Sequence, residues 1–156
     1  MLVPPWHETL SDEEVTQRLN TTMAKSGFTS FTSEKGGRIV GALWYDTPSL
    51  DDLEAERRKP LRNFAADLQE KTGIGTLVWK REVMVHPDSQ GQGIASSLRG
   101  AFLTHLGEKY PTGVIVLTRM REDNSGIVRL AEKHGFQKTG ISPSISKTRS
   151  FSGILV

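Results

Sequence analysis

Cysteine is absent from this chain. Its absence excludes a disulfide framework, a thiolate metal site and a cysteine nucleophile. Long apolar runs are also missing: none approaches the roughly 18 residues that a membrane-spanning helix needs. Nor is there an excess of one charge, since 20 Lys and Arg stand against 18 Asp and Glu, leaving a formal net charge of +2. That excess is too small to argue for nucleic acid as a partner, and no basic stripe with interleaved aromatics occurs. The histidines His7, His86, His105 and His134 show no metal-ligand spacing. Repeats and low-complexity tracts are absent. What remains is a globular composition, 36% hydrophobic and 24% charged over 156 residues. A chain of this length fits one domain and removes about 68–70% of its unfolded surface from water, so it needs no metal or crosslink to hold a core. The expectation is a single domain over residues 1–156, soluble and cytoplasmic. Residues 1–8 do not read as a secretory signal.

Along the chain, Ser11 and Glu14 have the S-x-x-E spacing of a capping box. Val15, Leu19 and Met23 follow at four-residue intervals, the stripe of a helix that Gly27 should end. Residues 28–33 and 38–45 read as two strands joined by a hairpin turn over 34–37, where Gly36 and Gly37 stand. Residues 48–59 are polar and highly charged. Pro60 is suited to open a helix carrying Leu61, Phe64, Ala65 and Leu68, closed by Gly73. Residues 76–85 read as a long strand with Leu77, Trp79, Val83 and Val85 on one face. After a loop over 86–92, a helix is expected over 93–109 with Ala95, Leu98, Phe102 and Leu106 inward. Residues 114–118 form a short apolar run suited to a buried strand. Asn124 or Ser125 caps another helix, with Ile127, Leu130 and Ala131 on one side and Gly135 at its end. Residues 136–141 and 151–156 read as final strands. Hairpins mixed with alternating strands and helices predict an α/β (α+β) fold, a mixed sheet with helices on its faces.

The segment most informative about chemistry runs from Val83 to Ala95. An apolar strand ends at Pro87, and a short Gln/Gly loop feeds directly into a helix. Gly91 and Gly93 let the backbone turn tightly and approach a ligand. The helix start leaves N–H groups without intrahelical partners, and the helix dipole favours an anion there. Such a loop is either a phosphate cradle or a plain strand–helix connection with convenient glycines. A Walker loop is excluded because no Lys follows Gly93. A dinucleotide fingerprint would need glycine where Ser96 stands and an acidic residue where Thr118 stands.

Gln90, Gly91, Gln92, Gly93, Ile94 and Ala95 match the Q/R-x-x-G-x-G/A motif of the GNAT superfamily of N-acetyltransferases, which this sequence resembles. Downstream, Asn124, Leu130, Glu132, Lys133, Gly135, Phe136 and Gly140 resemble the family's N-x-x-A-x-x-L-Y-E-K-x-G-F…G segment. The likeness is strongest over residues 76–141. It implies a mostly antiparallel twisted sheet with helices on both faces. Residues 2–8 resemble a P-P-W-x-E turn found before the second helix of some members, which implies that the first strand and helix of the fold are missing. The resemblance also implies acetyl-CoA as cosubstrate, no metal, and an amine acceptor, either a small molecule or a protein amine. Neither nucleic acid nor membrane is expected as a partner, and a homodimer is compatible with the reading. With no cysteine, no acyl-enzyme on a protein thiol can form.

On this resemblance, the backbone of Val83 and Val85 would pair with the pantetheine arm. The N–H groups from Gln90 to Ala95 would wrap the pyrophosphate, with Ser96 beside them. Asn124 would sit near the pantetheine, and it is equally suited to cap a helix. Glu82 is the candidate general base, standing on the central strand beside the expected thioester. A surface carboxylate paired with Lys80 or Arg81 is the alternative. Lys133 and Arg129 suit either the 3′-phosphate or plain solvent exposure, and Trp6 and Glu8 suit either the acceptor pocket or the core. The acidic run from Asp51 to Glu56 fits a solvated helix face better than an amine trap. One departure stands out: Ala131 occupies the position where the family commonly has the Tyr that protonates the leaving thiolate. Two readings follow, an N-acetyltransferase working by direct attack without that acid, or a non-catalytic acyl-CoA-binding domain of the same fold.

Overall fold

The computed structural model describes residues 11–56, 59–121, 125–139 and 149–155. The expected capping box forms: Ser11 and Glu14 satisfy each other's backbone N–H groups at the start of α1 (Asp12–Met23). The Val15, Leu19 and Met23 stripe is exposed rather than covered by the described core. Strands β1 (Thr29–Lys35) and β2 (Arg38–Asp46) form the expected hairpin. Its turn residues Gly36 and Gly37 have φ of +58° and +73°. Positive φ at both positions matches the right-handed twist of the flanking strands. The charged stretch after Pro48 folds into α2 (Leu50–Ala55), started by a second capping box between Ser49 and Asp52. Helix α3 (Lys59–Thr72) carries Pro60 in its first turn and buries Leu61 and Ala65.

The sheet order is β1-β2-β3-β4-β6-β5. Strand β3 (Leu77–Val85) pairs in parallel with β4 (Ile115–Arg121), and every other pairing among the described residues is antiparallel. Helix α4 (Ile94–Lys109) connects β3 to β4, and α5 (Ser125–Lys133) follows β4. The run from Val114 to Leu117 is fully buried, as a strand covered on both faces requires. One face meets α4 and α5 through Leu43, Val78, Leu98, Phe102, Val116 and Ala131. The other meets α2 and α3 through Leu53, Leu61, Leu77, Trp79 and Leu117. A mixed, mostly antiparallel sheet with helices on both faces is therefore what forms. Strand β5 (Gln137–Lys138) is shorter than expected, and β6 spans Arg149–Leu155.

One expectation about β3 is corrected. Leu77 and Trp79 face α2 and α3, whereas Val83 packs on the α4 side. The register explains why: Tyr45 stands opposite Lys80 but Trp44 stands opposite Glu82. Arg81 is therefore an extra residue, a β-bulge that reverses the in–out parity of everything beyond it. No helix of the described residues is long and apolar enough to cross a membrane.

Candidate active site

Beyond the bulge, one edge of β3 pairs with no strand among the described residues. The parallel ladder with β4 runs from Leu77↔Ile115 to Lys80↔Thr118. From there β4 continues with β6, and β3 continues with β2. The two central strands thus part at Lys80 and leave a cleft. The antiparallel ladder decides which backbone groups face it. His86 N–H donates to the Val40 carbonyl at 2.8 Å, so His86, Met84 and Glu82 direct their backbone groups to β2. Hydrogen-bonding direction alternates along a strand. Val83 and Val85, opposite Leu43 and Gly41, therefore direct N–H and C=O into the cleft. The side-chain amide of Gln90 already donates to the Val85 carbonyl at 3.2 Å.

The cleft leads to the Gln/Gly loop. A 3-10 turn over Pro87–Ser89 follows the strand, with the Asp88 N–H on the His86 Nδ1. Gly91 and Gly93 then take φ of +73° and +79°, and a Cβ at either position would meet nothing within 4 Å. Their role is conformational, and their outer side is open. Gly93 is the N-cap of α4 and supplies no side-chain cap. The first helical bond is Ser97 N–H to the Gly93 carbonyl at 3.0 Å, so the N–H groups of Ile94, Ala95 and Ser96 have no intrahelical acceptor. Lys35 Nζ reaches Gln92 Oε1 at 3.4 Å, bringing a positive charge to the loop. Gly41 is the residue sequence reading missed. A Cβ there would lie 2.7 Å from Ile94 Cγ2 and 3.2 Å from Leu98 Cδ1. Its lack of a side chain lets the first turn of α4 lie against the sheet.

Glu82 is exposed and opposite Trp44, on the α2/α3 face. The neighbouring Arg81 is engaged elsewhere. Its guanidinium holds Asp46 through Nε and through Nη2 at 2.9 Å, and Glu56 at 3.0 and 3.1 Å. It also lies 4.0 Å over the Trp79 ring. Burial would raise the Glu56 carboxyl, but hydrogen bonds from Arg81 and Lys25 outweigh it and hold it at about 2. Asp52 caps α2, and Glu54 lies 3.7 Å from Arg62. The acidic run is thus largely occupied in structural contacts.

On the opposite face, Lys80 and Arg99 are both buried. Burial first, and the Arg99 charge second, lower the Lys80 ammonium to about 7. Ala131 is 4% exposed and packed in the core; it offers no proton donor. Arg129 and Lys133 are exposed on α5. His105 is structural: its Nε2 lies 3.0 Å from the buried Tyr45 hydroxyl. No group of three or more His, Asp or Glu among the described residues could hold a metal ion. Asn124, Trp6 and Glu8 lie outside the described residues.

A cleft between splayed strands, ending at an uncapped helix N-terminus, suits an extended ligand that carries phosphate at one end. The family match agrees: the model of the Acetyltransferase (GNAT) family covers residues 1–136, and the chain belongs to that family of acyltransferases. No curated protein matches its sequence. Solved structures are similar in fold. The ribosomal-protein-S18-alanine N-acetyltransferase of Escherichia coli is 12% identical, with a TM-score of 0.64 over 90% of this chain and 76% of that one. Arabidopsis thaliana NAA60, solved in complex with acetyl-CoA, is 14% identical at a TM-score of 0.63, covering 90% and 83%. The polyamine N-acetyltransferase of Drosophila melanogaster, an enzyme that catalyses formation of N-acetylagmatine, is 14% identical at 0.63, covering 99% and 85%.

Proposed function

We propose that this protein moves an acetyl group from acetyl-CoA to a primary amine by direct attack within a ternary complex. The observation that carries the reading is the continuity of that β3 edge with the uncapped start of α4. The Val83 and Val85 backbone would take the pantetheine amides as an added strand. The N–H groups of Ile94, Ala95 and Ser96, in a loop shaped by Gln90, Gly91, Gln92 and Gly93, would hold the pyrophosphate. The open side of both glycines supports that fit. When bound, acetyl-CoA supplies the activated acyl group. The chain's own contribution is to align two substrates and to offer backbone donors to the carbonyl oxygen. Glu82, next to the bulge and on the face away from α4, is the group to take the amine proton, directly or through water.

The test is thiol release from acetyl-CoA across a panel of small amines, polyamines, peptide N-termini and lysine peptides, with thermal shift as a binding control. Acetyl-CoA at a hundred times its Kd should stabilise the protein by about 2.7 kcal/mol. Gly93→Val should lose that shift, because a branched side chain at positive φ deforms the loop. Turnover with at least one amine is expected. Tight acetyl-CoA binding without turnover for any amine would replace this reading with the non-catalytic one, which the buried Ala131 favours.

A further inference from the structure

The mechanism above leaves two buried cations unused. Lys80 is 6% exposed and Arg99 is 4% exposed. Lys80 stands opposite Tyr45, on the sheet face covered by α4 and α5. Arg99 comes from α4, one residue after the buried Leu98, and its Nε and Nη1 have no hydrogen-bond partner among the described residues. Around Lys80 the charged and titratable groups are Arg99 from α4, Glu82 on its own strand and Tyr45 from β2, with His105 and Lys109 behind Tyr45. No salt bridge to either cation forms among the described residues. The Arg99 charge acts on the Lys80 ammonium, and burying both groups with guanidinium nitrogens unsatisfied is unfavourable in the free protein. Such a pair becomes favourable when negative charge arrives beside it.

Their position says where that charge comes from. Lys80 is the last rung of the parallel ladder, with Thr118 Oγ1 on its carbonyl at 3.3 Å. It marks the closed end of the cleft. The phosphate loop lies at the other end, beyond Val85. Lys80 lies five positions before Val85 on the strand, about 16 Å at the rise of an extended strand. A pantetheine arm anchored at the loop and lying along Val85 and Val83 brings its sulfur to the Lys80 end. We propose that Lys80 and Arg99 form the receiving site for the coenzyme A sulfur and hold it as a thiolate when the acyl group leaves.

This inference rests on the acetyl-CoA reading above. In the step it describes, the amine nitrogen bonds to the acyl carbon, the carbon–sulfur bond breaks, and its electron pair goes to sulfur. The proton shed by the amine goes to Glu82 or water. The thiolate stays paired with the ammonium and guanidinium until it takes a proton from solvent on release. No proton donor on α5 is then required, which accounts for alanine at position 131. Stabilisation present only when charge develops lowers the barrier rather than merely tightening binding.

The absence of cysteine makes the test direct, because ultraviolet thiolate absorbance in the complex reports coenzyme A alone. Coenzyme A bound to the wild-type protein should ionise at least one pH unit below the usual thiol value of about 8.5. In Lys80→Met and in Arg99→Met the ionisation should return toward that value. Both variants should melt no lower than wild type without ligand, because each removes one buried cation. A bound thiol that is unshifted in the wild type, or a shift that survives both substitutions, overturns the proposal while leaving the acetyl-CoA reading intact. Failure of coenzyme A to bind the wild type at all overturns both.

Discussion

Gly41→Ala tests whether the strand edge and the phosphate loop are one rigid unit. The added Cβ would sit 2.7 Å from Ile94 Cγ2, 3.2 Å from Leu98 Cδ1 and 3.4 Å from the Met84 carbonyl. Ordinary carbon–carbon contact is about 3.5–4.0 Å, so something must yield by about 1 Å. Ile94 cannot yield alone, because Cγ2 is bonded directly to Cβ and a β-branched residue in a helix has essentially one χ1 rotamer. The first turn of α4 must move instead, and with it the N–H groups of Ile94, Ala95 and Ser96. Overpacking of this kind costs about 1–3 kcal/mol, which for a chain of this size lowers Tm by about 2–12 °C. Displacing the loop by about 1 Å from the Val83–Val85 edge should reduce kcat/KM by up to about 10²-fold. The assays are thermal melting and initial rates with acetyl-CoA varied. The Gly41→Ala/Ile94→Ala double variant removes the closest atom and should lose less than the sum of the two single variants. A Gly41→Ala protein with unchanged Tm and unchanged kcat/KM would refute the coupling.

Glu82→Gln should lower kcat by about 10²–10⁴-fold and flatten the acidic limb of the pH–rate profile; near-normal turnover at pH 7 would leave the carboxylate a surface group. Ala131→Tyr should overpack the core beside Val128 and Phe136, lowering Tm by a cost of about 1–3 kcal/mol without raising turnover; a faster enzyme with unchanged Tm would show that position 131 opens on the cleft. Glu56 is held at about 2, below its usual 4.5. A lowered carboxyl contributes stability above pH 4.5 that disappears as pH falls through 2. Urea unfolding should therefore show acid sensitivity in that window, and less of it in Arg81→Met. Equal acid sensitivity in both proteins would contradict the ion-pair assignment.

Features under short-range control are legible in the residues alone. Ser11 with Glu14 specified a helix start, Gly36 with Gly37 a hairpin turn, and the apolar run ending at Thr118 a doubly covered strand. The Gln90–Ala95 motif marked a helix start with unpaired N–H groups, because caps and positive-φ glycines act within a few residues of themselves. Residues far apart in the chain decided the rest. Arg81 reads as one more strand residue until Tyr45 and Trp44 are paired across from it, and only that register exposes the bulge that turns Val83 away from the face of Trp79. Gly41 looks like an unremarkable strand glycine until Ile94 packs over it. Ser49 and Asp52 have capping-box spacing within a charged stretch, but burial of Leu53 against α3 and the Arg81–Glu56 pairing draw on contacts that spacing does not encode. The stripe on α1 is legible as a helix face, yet its exposure is a property of what packs nearby. Lys80 and Arg99 are the clearest case: each is an ordinary basic residue in sequence, and only the packing of α4 against the sheet buries both. Propensity and capping are local, whereas burial and electrostatic neighbours are set by the whole fold.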